Sequence, residues 1–466
     1  MVKLSSMKNF DRRKFIQTTS LSAAFSYSSS LFSNNSRPSD QKYMGNFAAH
    51  KLDKIKIAFI GVGHRGQGHI MRFGSFPHTQ IVAICDLHET NISKSLSIIN
   101  NLDAKNTTIN LKTYWGNENK WKQMLKETDA DIVIISTNWN NHGIMAIESM
   151  KNNMHAFVEV PLANSIKDLW EIVNTSEKYQ KHCMMMENVN YGREELMFLN
   201  ICRKGLLGEL YHGEAAYIHD LRYQMYEEEI GTGSWRTLQY EKKKGNLYPT
   251  HGLGPVSQYM NLMRNEDTFK SLVSFSSPAL GREKFATENF KANHKWNKLN
   301  FQNGDINTTI IKTYLGRTIM VQWDETSPRP YTGLNLIQGT KGILAGGPTR
   351  AAFDNGFEGF SKDSKEWIKG EGIDALYEKY DHPMYKRLNK ITKDLGHGGM
   401  DGIMVYRIIE CLRNGDPLDQ NVYEGCAWSS LIELTSNSVN NNGQTQEFPD
   451  FTRGNWVDTN IFDIIP

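Results

Sequence analysis

Lys54 to Gly66 read KIKIAFIGVGHRG, an apolar run followed by three spaced glycines. The run Ile55–Ile60 predicts one short strand that is buried on both faces. The glycines complete a G-x-G-x-x-G motif: Gly61 makes a tight turn, Gly63 lets a pyrophosphate approach the backbone, and Gly66 lets the next helix lie close to the strand. The helix that begins here would direct its free N–H groups and its positive dipole end at the phosphates. This stretch predicts the start of a dinucleotide-binding domain.

A second apolar strand, Ile81–Cys85, ends at Asp86, about twenty residues beyond the glycine loop, as the dinucleotide fingerprint requires. A carboxylate at this position can accept both hydroxyls of the adenosine ribose and repels a 2′-phosphate, which favours NAD over NADP as the cofactor. Arg65 beside the loop could still meet a phosphate. The alternative interpretation is an ordinary strand–helix turn with a capping Asp.

The length of 466 residues predicts a globular protein with two domains, because a chain of this length is longer than one that usually folds around a single hydrophobic core. Hydrophobic residues make up 39% of the chain and charged residues 22%. The net charge of +2 gives no reason to expect nucleic acid or a membrane surface as a partner. No apolar run approaches the roughly 20 residues that span a bilayer.

The cysteines show no pattern of disulfides or metal ligands. They are five, an odd number, scattered and free of C-x-x-C spacing, and the chain contains no H-E-x-x-H. Such cysteines are typical of small buried apolar residues. We therefore predict no metal site.

The N-terminal segment differs from the rest of the chain. Asp11–Ile16 read DRRKFI, a twin-arginine sequence that precedes a mildly apolar stretch rich in Ser and Ala. This pattern predicts a twin-arginine export signal over residues 1–35 and a periplasmic or extracellular protein, the alternative being a disordered basic tail. The polar residues 36–53 are predicted to form a linker.

From residue 54 to 190 the pattern alternates strand and helix. Asp131–Thr137, His155–Pro161 and Met184–Val189 are further strand predictions, and Ser165–Lys181 has the apolar spacing of a helix. The fold class is therefore α/β, with a doubly wound parallel Rossmann sheet. Ligands of such sheets bind at the carboxyl ends of the strands, so the glycine loop, Asp86, a polar loop over 138–142, Glu159-Val160 and Asn188 should line one crevice.

Residues 191–466 predict a second, α+β domain for the substrate. Five segments are strand-like and separated by Gly, Asn or Pro, which indicates a largely antiparallel open sheet: Leu210–Asp220, Ser271–Ser276, Thr308–Tyr314, Thr318–Asp324 and Leu334–Gln338. One face of this sheet is available to pair with another subunit. Ile403–Leu412 predicts a helix that packs back on the protein.

Several polar clusters of the second domain are not needed for a sheet, although a single His or Tyr is more often a packing residue than a functional one. His251 is the strongest candidate, because a Pro-containing turn and two glycines place it on a bend and its reference pKa near 6.5 permits proton transfer in either direction. Tyr248 would share a face with it if this turn is helical.

The chain resembles the glucose–fructose oxidoreductase and inositol dehydrogenase (Gfo/Idh/MocA) superfamily and, within it, glycoside hydrolase family 109. The resemblance runs from the glycine loop to DFTRGNW (450–456). Its distinctive strings are MMMENV (184–189), GLLGEL (205–210), HDLR (219–222), LYPTHGLGPVSQYMN (247–261), RPYTGLNLIQGTKG (329–342) and HGGMDGIMVYR (397–407). Dehydrogenases of the superfamily usually carry Glu-Lys-Pro where this chain has Glu159-Val160-Pro161, and the glycosidase family resembles this chain in its Val. The glycosidase family usually has Trp-Glu-Trp-His where this chain has Trp139-Asn140-Asn141-His142.

The resemblance implies an NAD-dependent glycosidase that acts on terminal N-acetylgalactosamine, as an α-N-acetylgalactosaminidase, by oxidation, elimination, addition and reduction. It implies NAD contacts at His64, Arg65, Asp86, Asn138, Trp139, Asn140, Asn141, His142, Glu159, Val160 and Asn188. It implies sugar contacts at Tyr217, Arg236, Tyr248, Pro249, Thr250, His251 and Tyr331, with His251 and Tyr248 as the catalytic pair. The alternatives are an NAD-dependent sugar dehydrogenase and a non-catalytic protein that binds sugar or senses redox state.

Overall fold

The computed structural model describes residues 36–102 and 111–462. The predicted export signal, residues 1–35, lies outside the described residues. The described residues divide into two units, with the boundary between Gln41 and Lys42. In the first unit the described part contains a turn in which the Gln41 N–H donates to the Pro38 carbonyl at 3.0 Å.

The first half of the second unit is a six-stranded parallel sheet, which confirms the predicted Rossmann fold. Its strands are β1 (Ile55–Ile60), β2 (Thr79–Cys85), β3 (Lys112–Tyr114), β4 (Ile132–Ile135), β5 (His155–Val158) and β6 (Cys183–Met185). They lie in the order β3-β2-β1-β4-β5-β6, and all pairs are parallel. The helices are α1 (His64–Gly74), α2 (Glu89–Asn100), α3 (Lys120–Glu127), α4 (Trp139–Lys151) and α5 (Ile166–Tyr179). The order reverses between β1 and β4, where such sheets place their ligands.

The strand predicted over Met184–Val189 is shorter in the structure. It ends at Met185, because the Glu187 side chain accepts the Val189 N–H at 3.1 Å and begins a 3₁₀ turn, Asn188–Tyr191. The predicted helix over Ser165–Lys181 is α5, which Ser165 caps by accepting the Asp168 N–H at 3.1 Å.

The second half contains an eight-stranded, mostly antiparallel sheet, as predicted. Its strands are β7 (Leu210–Ile218), β8 (Phe269–Ser276), β9 (Asn307–Thr313), β10 (Thr318–Asp324), β11 (Leu336–Gly339), β12 (Gly342–Ala345), β13 (Arg350–Phe353) and β14 (Gln446–Glu447). The order is β13-β12-β11-β7-β10-β9-β8-β14, and only the β7–β10 pair of these strands is parallel. Strands β12 to β14 were not predicted, because two to four residues are too few to show an alternation of apolar and polar side chains.

The helices of this half are α6 (Arg193–Arg203), α7 (Thr232–Lys242), α8 (Thr250–Tyr259), α9 (Gly281–Asn289), α10 (Glu371–Tyr380), α11 (Pro383–Thr392), α12 (Met400–Asn414) and α13 (Val422–Asn440). Helix α12 contains the predicted Ile403–Leu412. Helix α13 bonds to both halves of the unit: Ser429 Oγ accepts the Leu162 N–H at 3.0 Å, and Ser438 Oγ accepts the Ser274 N–H at 2.9 Å.

The two faces of the large sheet differ in how far their side chains are exposed. Leu272 and Ile311 face the protein interior and are almost fully buried, whereas Phe275 and Ile310 on the opposite face are 60% and 42% exposed. The alternation follows from the two-residue period of a strand. The sheet therefore leaves one face open, which carries apolar side chains.

The segment predicted as a linker packs on the protein where it is described in this unit. The Lys42 N–H donates to the Glu177 carbonyl at 3.1 Å, and the Leu52 N–H donates to the Leu412 carbonyl at 3.1 Å. Met44 is buried, and its N–H donates to the Tyr423 hydroxyl at 3.0 Å. Residues 42–53 therefore pack on the rest of the unit. The polar composition of this segment does not reveal these contacts, because they depend on residues that are distant in sequence.

Candidate functional site

The glycine loop joins β1 to α1 with the geometry that its sequence predicts. Gly61 has φ +81°, a left-handed turn that favours glycine. A Cβ on Gly66 would lie 2.1 Å from the Gly61 carbonyl oxygen, so only glycine permits this approach of helix to strand. A Cβ on Gly63 would have its nearest neighbour 3.8 Å away, so that side of the loop is open. The open side faces the first N–H groups of α1, where an anion is favoured.

Asp86 lies beside this loop at the end of β2. Its Oδ2 accepts the Val62 N–H at 2.8 Å, and its Oδ1 accepts the His88 N–H at 2.9 Å and an Asn91 Nδ2 hydrogen at 3.0 Å. The carboxylate is thus held in place beside the glycine loop by donors from both sides. Lone pairs remain for a ligand, because two carboxylate oxygens offer about four acceptor sites.

Buried polar atoms without partners line the same crevice. Ser136 Oγ and Asn138 Oδ1 follow β4, and Asn188 Oδ1 follows β6; all three are buried without a hydrogen bond in the protein. Buried polar atoms are normally bonded, so unpaired ones at the carboxyl edge of the sheet fit a ligand rich in donors and acceptors, as NAD is. Asn138, Asn188, Asp86 and the glycine loop would hold the cofactor.

The predicted polar loop over 138–142 is instead the start of helix α4, with Asn138 as its N-cap residue. His142 is buried; its Nδ1 lies 2.7 Å from the Pro161 carbonyl oxygen and its Nε2 lies 3.1 Å from that of Thr137. Burial lowers the pKa of His142, and the hydrogen bonds to the two carbonyl oxygens act in the opposite direction. Both ring nitrogens of His142 therefore contact backbone carbonyl oxygens of the protein. Asn140 and Asn141 lie on the first turn of the helix.

Arg65 is held by two carboxylates. Its Nε donates to Glu159 Oε1 at 2.6 Å, and its Nη1 donates to Asp401 Oδ2 at 2.8 Å. Asp401 also accepts from Asn188 Nδ2 at 2.7 Å and pairs with Arg72 at 2.9 Å. Three of the five N–H groups of the Arg65 guanidinium are therefore engaged in ion pairs within the protein. A contact between the remaining ones and a phosphate stays a prediction.

The same ion pairs lower the pKa values of the two carboxyl groups, Asp401 and Glu159. Burial alone would raise the pKa of Asp401, but the hydrogen bond from His397 and the charges of Arg65 and Arg72 hold that pKa well below its usual range. Burial would likewise raise the pKa of Glu159, but the charge of Arg65 and the hydrogen bond from His69 lower it. Both carboxylates are ionised at neutral pH.

In the second half of the unit, four predicted substrate-binding side chains meet beside α8. The Tyr217 ring centroid lies 5.0 Å from that of Tyr248, 5.2 Å from that of His251 and 6.1 Å from that of Tyr331. The Tyr248 and His251 rings are 4.9 Å apart. Tyr248 precedes α8 and is not on its face, but Pro249 caps the helix and turns the chain so that the two rings meet. Tyr331 is 57% exposed and forms the rim.

Arg236 lies under this pocket and is almost fully buried. Its guanidinium carbon lies 4.7 Å from the Trp139 ring centroid and 4.5 Å from that of Tyr248. Its Nη2 pairs with the Glu325 carboxylate, which also accepts the Tyr240 hydroxyl. The charge of Arg236 is thus neutralised, while its Nε is buried without a hydrogen-bond partner in the protein.

Tyr248 connects the pocket to the crevice. Its ring stacks on Trp139, the first residue of α4, at 5.6 Å. Burial raises the pKa of Tyr248 well above its ordinary value, so its hydroxyl keeps its proton and can donate it. Pro249 and Thr250 are buried beside it, and the Thr250 hydroxyl has no partner.

His251 has a carboxylate partner that the sequence analysis missed. Its Nδ1 lies 2.6 Å from Glu187 Oε1, and Glu187 is fully buried. Glu325 and Asp401 were missed in the same way. Glu187 lies in MMMENV and Asp401 in HGGMDGIMVYR, two strings already marked as distinctive, but nothing in either string indicates which residue is the partner.

Metal ligation and disulfides play no visible part in the site. Over 36–102 and 111–462, no group of three or more His, Cys, Asp or Glu is placed to hold a metal ion. All five cysteines lie in these ranges as free thiols. In the described part of the chain, no helix is both long and apolar enough to cross a membrane.

Both halves of the unit match known families. A family model described as "Oxidoreductase family, NAD-binding Rossmann fold" matches residues 55–187, and one described as "Glycosyl hydrolase 109, C-terminal domain" matches residues 191–458. The first match confirms NAD as the predicted cofactor.

Whole-chain comparisons agree with these matches. Glycosyl hydrolase family 109 protein 1 of Akkermansia muciniphila is 56% identical, over 90% of this chain and 86% of that protein. A family 109 protein of Shewanella putrefaciens is 49% identical, over 97% of this chain and 98% of that protein. A levoglucosan dehydrogenase solved with NADH and levoglucosan shares the fold, with a TM-score of 0.61 at 14% identity over 85% of this chain and 100% of that one. The chain therefore belongs to glycosyl hydrolase family 109 and is an enzyme built on the NAD-binding oxidoreductase fold.

Proposed function

We propose that the enzyme removes terminal N-acetylgalactosamine from glycans, as an α-N-acetylgalactosaminidase, with retention of anomeric configuration and with NAD used catalytically. The observation that carries this proposal is the meeting of His251, Tyr248 and Tyr217 beside the carboxyl edge of the NAD-binding sheet. A proton transferred by His251 or Tyr248 would therefore move next to the crevice that holds the cofactor. This differs from the usual glycosidase, which places two carboxylates across the glycosidic bond.

NAD, when bound, accepts a hydride from the sugar and returns it. With a ketone at C3, the hydrogen at C2 becomes acidic, and its loss lets the aglycone leave C1. Water then adds at C1, C2 is protonated again, and the C3 hydroxyl is restored. The protein residues align C3 with the cofactor and move these protons.

The pocket residues divide this work between them. His251 can accept and return a proton, and Tyr248, whose hydroxyl stays protonated, can donate one. Tyr217 and Tyr331 offer ring faces and hydroxyls to a sugar. Arg236, neutralised by Glu325, contributes a hydrogen bond without a net charge, which suits an uncharged sugar.

A sugar dehydrogenase on the same fold is the second candidate, and Val160 argues against it. Val160 is 3% exposed and lies at the position where the superfamily's dehydrogenases usually have a catalytic Lys. An aliphatic side chain cannot relay a proton.

The assay that tests the proposal uses chromogenic α- and β-N-acetylgalactosaminides in deuterated water, with aglycone and NADH followed together. We expect faster release from the α-anomer, deuterium at C2 of the product and no net NADH. Stoichiometric NADH with no aglycone would show a dehydrogenase. Aglycone release at full rate after the nucleotide has been stripped would remove NAD from the mechanism.

Asp86→Ala should weaken NAD binding. Each charge-assisted hydrogen bond to a ribose hydroxyl is worth about 1.5–3 kcal/mol, and the Val62 N–H in the glycine loop also loses its acceptor. The measurement is NAD affinity by calorimetry on nucleotide-free protein. Asp129→Ala is the control, because the Asp129 side chain is 89% exposed and pairs with Lys56 at the surface. Equal affinities in the two variants would contradict the placement of the ribose.

We propose that residues 1–35 direct export by the twin-arginine route, which carries folded proteins and so suits an enzyme that loads NAD in the cytoplasm. The support is the DRRKFI sequence before its apolar stretch. Fractionation of cells should recover activity outside the cytoplasm, and recovery only in the cytoplasm would contradict export.

We also propose that the open face of the large sheet joins two subunits. Exposed Phe275 and Ile310 support this, because large apolar side chains on a flat sheet face are typical of an interface. Light scattering should give a mass of twice the chain or more, and a monomer at micromolar concentration would contradict the proposal.

A further inference from the structure

The pairing of His251 with Glu187 decides which ring nitrogen faces the sugar. Glu187 Oε1 lies 2.6 Å from His251 Nδ1 and also accepts the Val189 N–H at 3.1 Å. An ionised carboxylate can only accept hydrogen bonds, so the hydrogen between the two groups belongs to Nδ1. The neutral ring then carries no hydrogen on Nε2, which is the nitrogen left for a proton from the substrate.

Glu187 is held in place from several directions. Its backbone carbonyl accepts from Gln420 Nε2 at 2.9 Å. Gly254, one turn along α8 from His251, lies against it: a Cβ on Gly254 would come within 3.0 Å of Glu187 Cγ. The lack of a side chain at Gly254 therefore lets the carboxylate approach the helix that carries the base.

The chain position of Glu187 also ties the base to the cofactor crevice. The next residue, Asn188, bonds to Asp401 at 2.7 Å and keeps its buried Oδ1 unpaired. Consecutive side chains of one turn thus reach His251 and the crevice. A shift of this turn would move the proton acceptor relative to the cofactor.

We propose that Glu187 is the positioning residue of the proton-transfer step: it holds His251 in the Nδ1–H tautomer, aims Nε2 at the sugar and offsets the positive charge when the ring is protonated. This rests on the proposed function for the identity of the substrate. No bond to the sugar is made by Glu187 itself.

Two variants separate its two effects. Glu187→Gln keeps an acceptor for Nδ1–H but removes the charge, whereas Glu187→Ala removes both. Partners that orient metal-bound histidines are typically worth 10–100-fold, and we expect the same scale for this base: kcat should fall about tenfold in the Gln variant and about a hundredfold in the Ala variant, with KM little changed. The acidic limb of the pH–kcat profile should move to lower pH in the Gln variant, because an opposite charge in contact with the ring is lost.

Glu424→Gln is the matched control. Glu424 is also buried, and its carboxylate pairs with Arg264 at 2.6 Å instead of with a histidine. It should lose stability while its pH profile keeps the wild-type shape. A shift of the profile in this control as large as in Glu187→Gln would overturn the specific role of Glu187.

A direct readout needs no turnover. Nitrogen-15 NMR of ring-labelled histidines in the wild-type protein, with the His251 signal assigned by its loss in His251→Ala, should show Nδ1 protonated and Nε2 bare at neutral pH. An Nε2–H tautomer would overturn the inference, even if the Glu187 variants fail to fold. Wild-type kcat and pH profile in folded Glu187→Gln would overturn it as well. If the wild-type enzyme releases no N-acetylgalactosamine, the proposed function fails, while the spectrum still decides the tautomer.

Discussion

Replacing His251 by alanine is expected to lower kcat for aglycone release by a factor of about 10²–10⁴, the usual cost of removing a general acid or base. The imidazole is the candidate base that stands among Tyr217, Tyr248 and the buried Glu187. NAD should remain bound, because the glycine loop and Asp86 are untouched. The measurement is the rate of release together with deuterium uptake at C2 in deuterated water, both of which should fall in parallel.

His212→Ala is the control for this prediction. His212 is half-buried on the open face of β7, where its Nδ1 lies 2.8 Å from Thr318 Oγ1, and it should leave kcat unchanged. Tyr248→Phe tests the neighbouring hydroxyl with the ring stack on Trp139 preserved. Protium retained at C2 is compatible with a shielded base that returns the same proton. Retention together with undiminished kcat in His251→Ala would exclude His251 as that base.

Replacing Asp401 by alanine is expected to lower the free energy of unfolding by about 3–5 kcal/mol, the typical cost of removing one partner from a buried ion pair. The Asp401 side chain is fully buried and pairs with Arg65 at 2.8 Å and with Arg72 at 2.9 Å. Without it, two arginines lose a counter-charge and Asn188 loses its acceptor. Urea unfolding measures the loss, and a fall in NAD affinity should accompany it.

Asp220→Ala is the matched control, because the Asp220 side chain is 35% exposed in its pair with Arg222. An exposed pair is worth about 0–1 kcal/mol, so the control should lose little. An equal loss in the two variants would show that the Asp401 ion pairs contribute no more than a surface contact.

Acid should destabilise the wild-type protein through the same carboxylates. The folded protein holds the pKa values of Asp401 and Glu159 below their usual values. Their contribution is therefore complete above the unfolded values of about 4 and is lost as the pH falls from there. In Asp401→Ala the plot of unfolding free energy against pH should be flatter below pH about 4, and an unchanged slope would contradict the shift.

Local features of the fold could be predicted because their causes are local. The glycine loop, the strand into Asp86 and helix α5 follow from backbone turns, apolar runs and caps within a few residues. The predicted loop over 138–142 was wrong for a related reason. Asn138 followed by polar residues is typical of a loop, but it is equally the start of a capped helix, and the burial of Trp139 and His142 against distant residues decides between the two.

The sequence by itself determined the α/β class, the NAD-binding loop and, through long matching strings, the glycosidase family. It did not determine which carboxylate pairs with which arginine or histidine. Glu187 and His251 are 64 positions apart, and Asp401 and Arg65 are 336 apart, so neither pair has a spacing that a pattern could reveal. Any of the 51 acidic residues could have been chosen on composition alone. Only the tertiary structure decided these pairs, because a buried charge needs a partner within hydrogen-bond distance and the packing of the two halves selects which carboxylate can reach it.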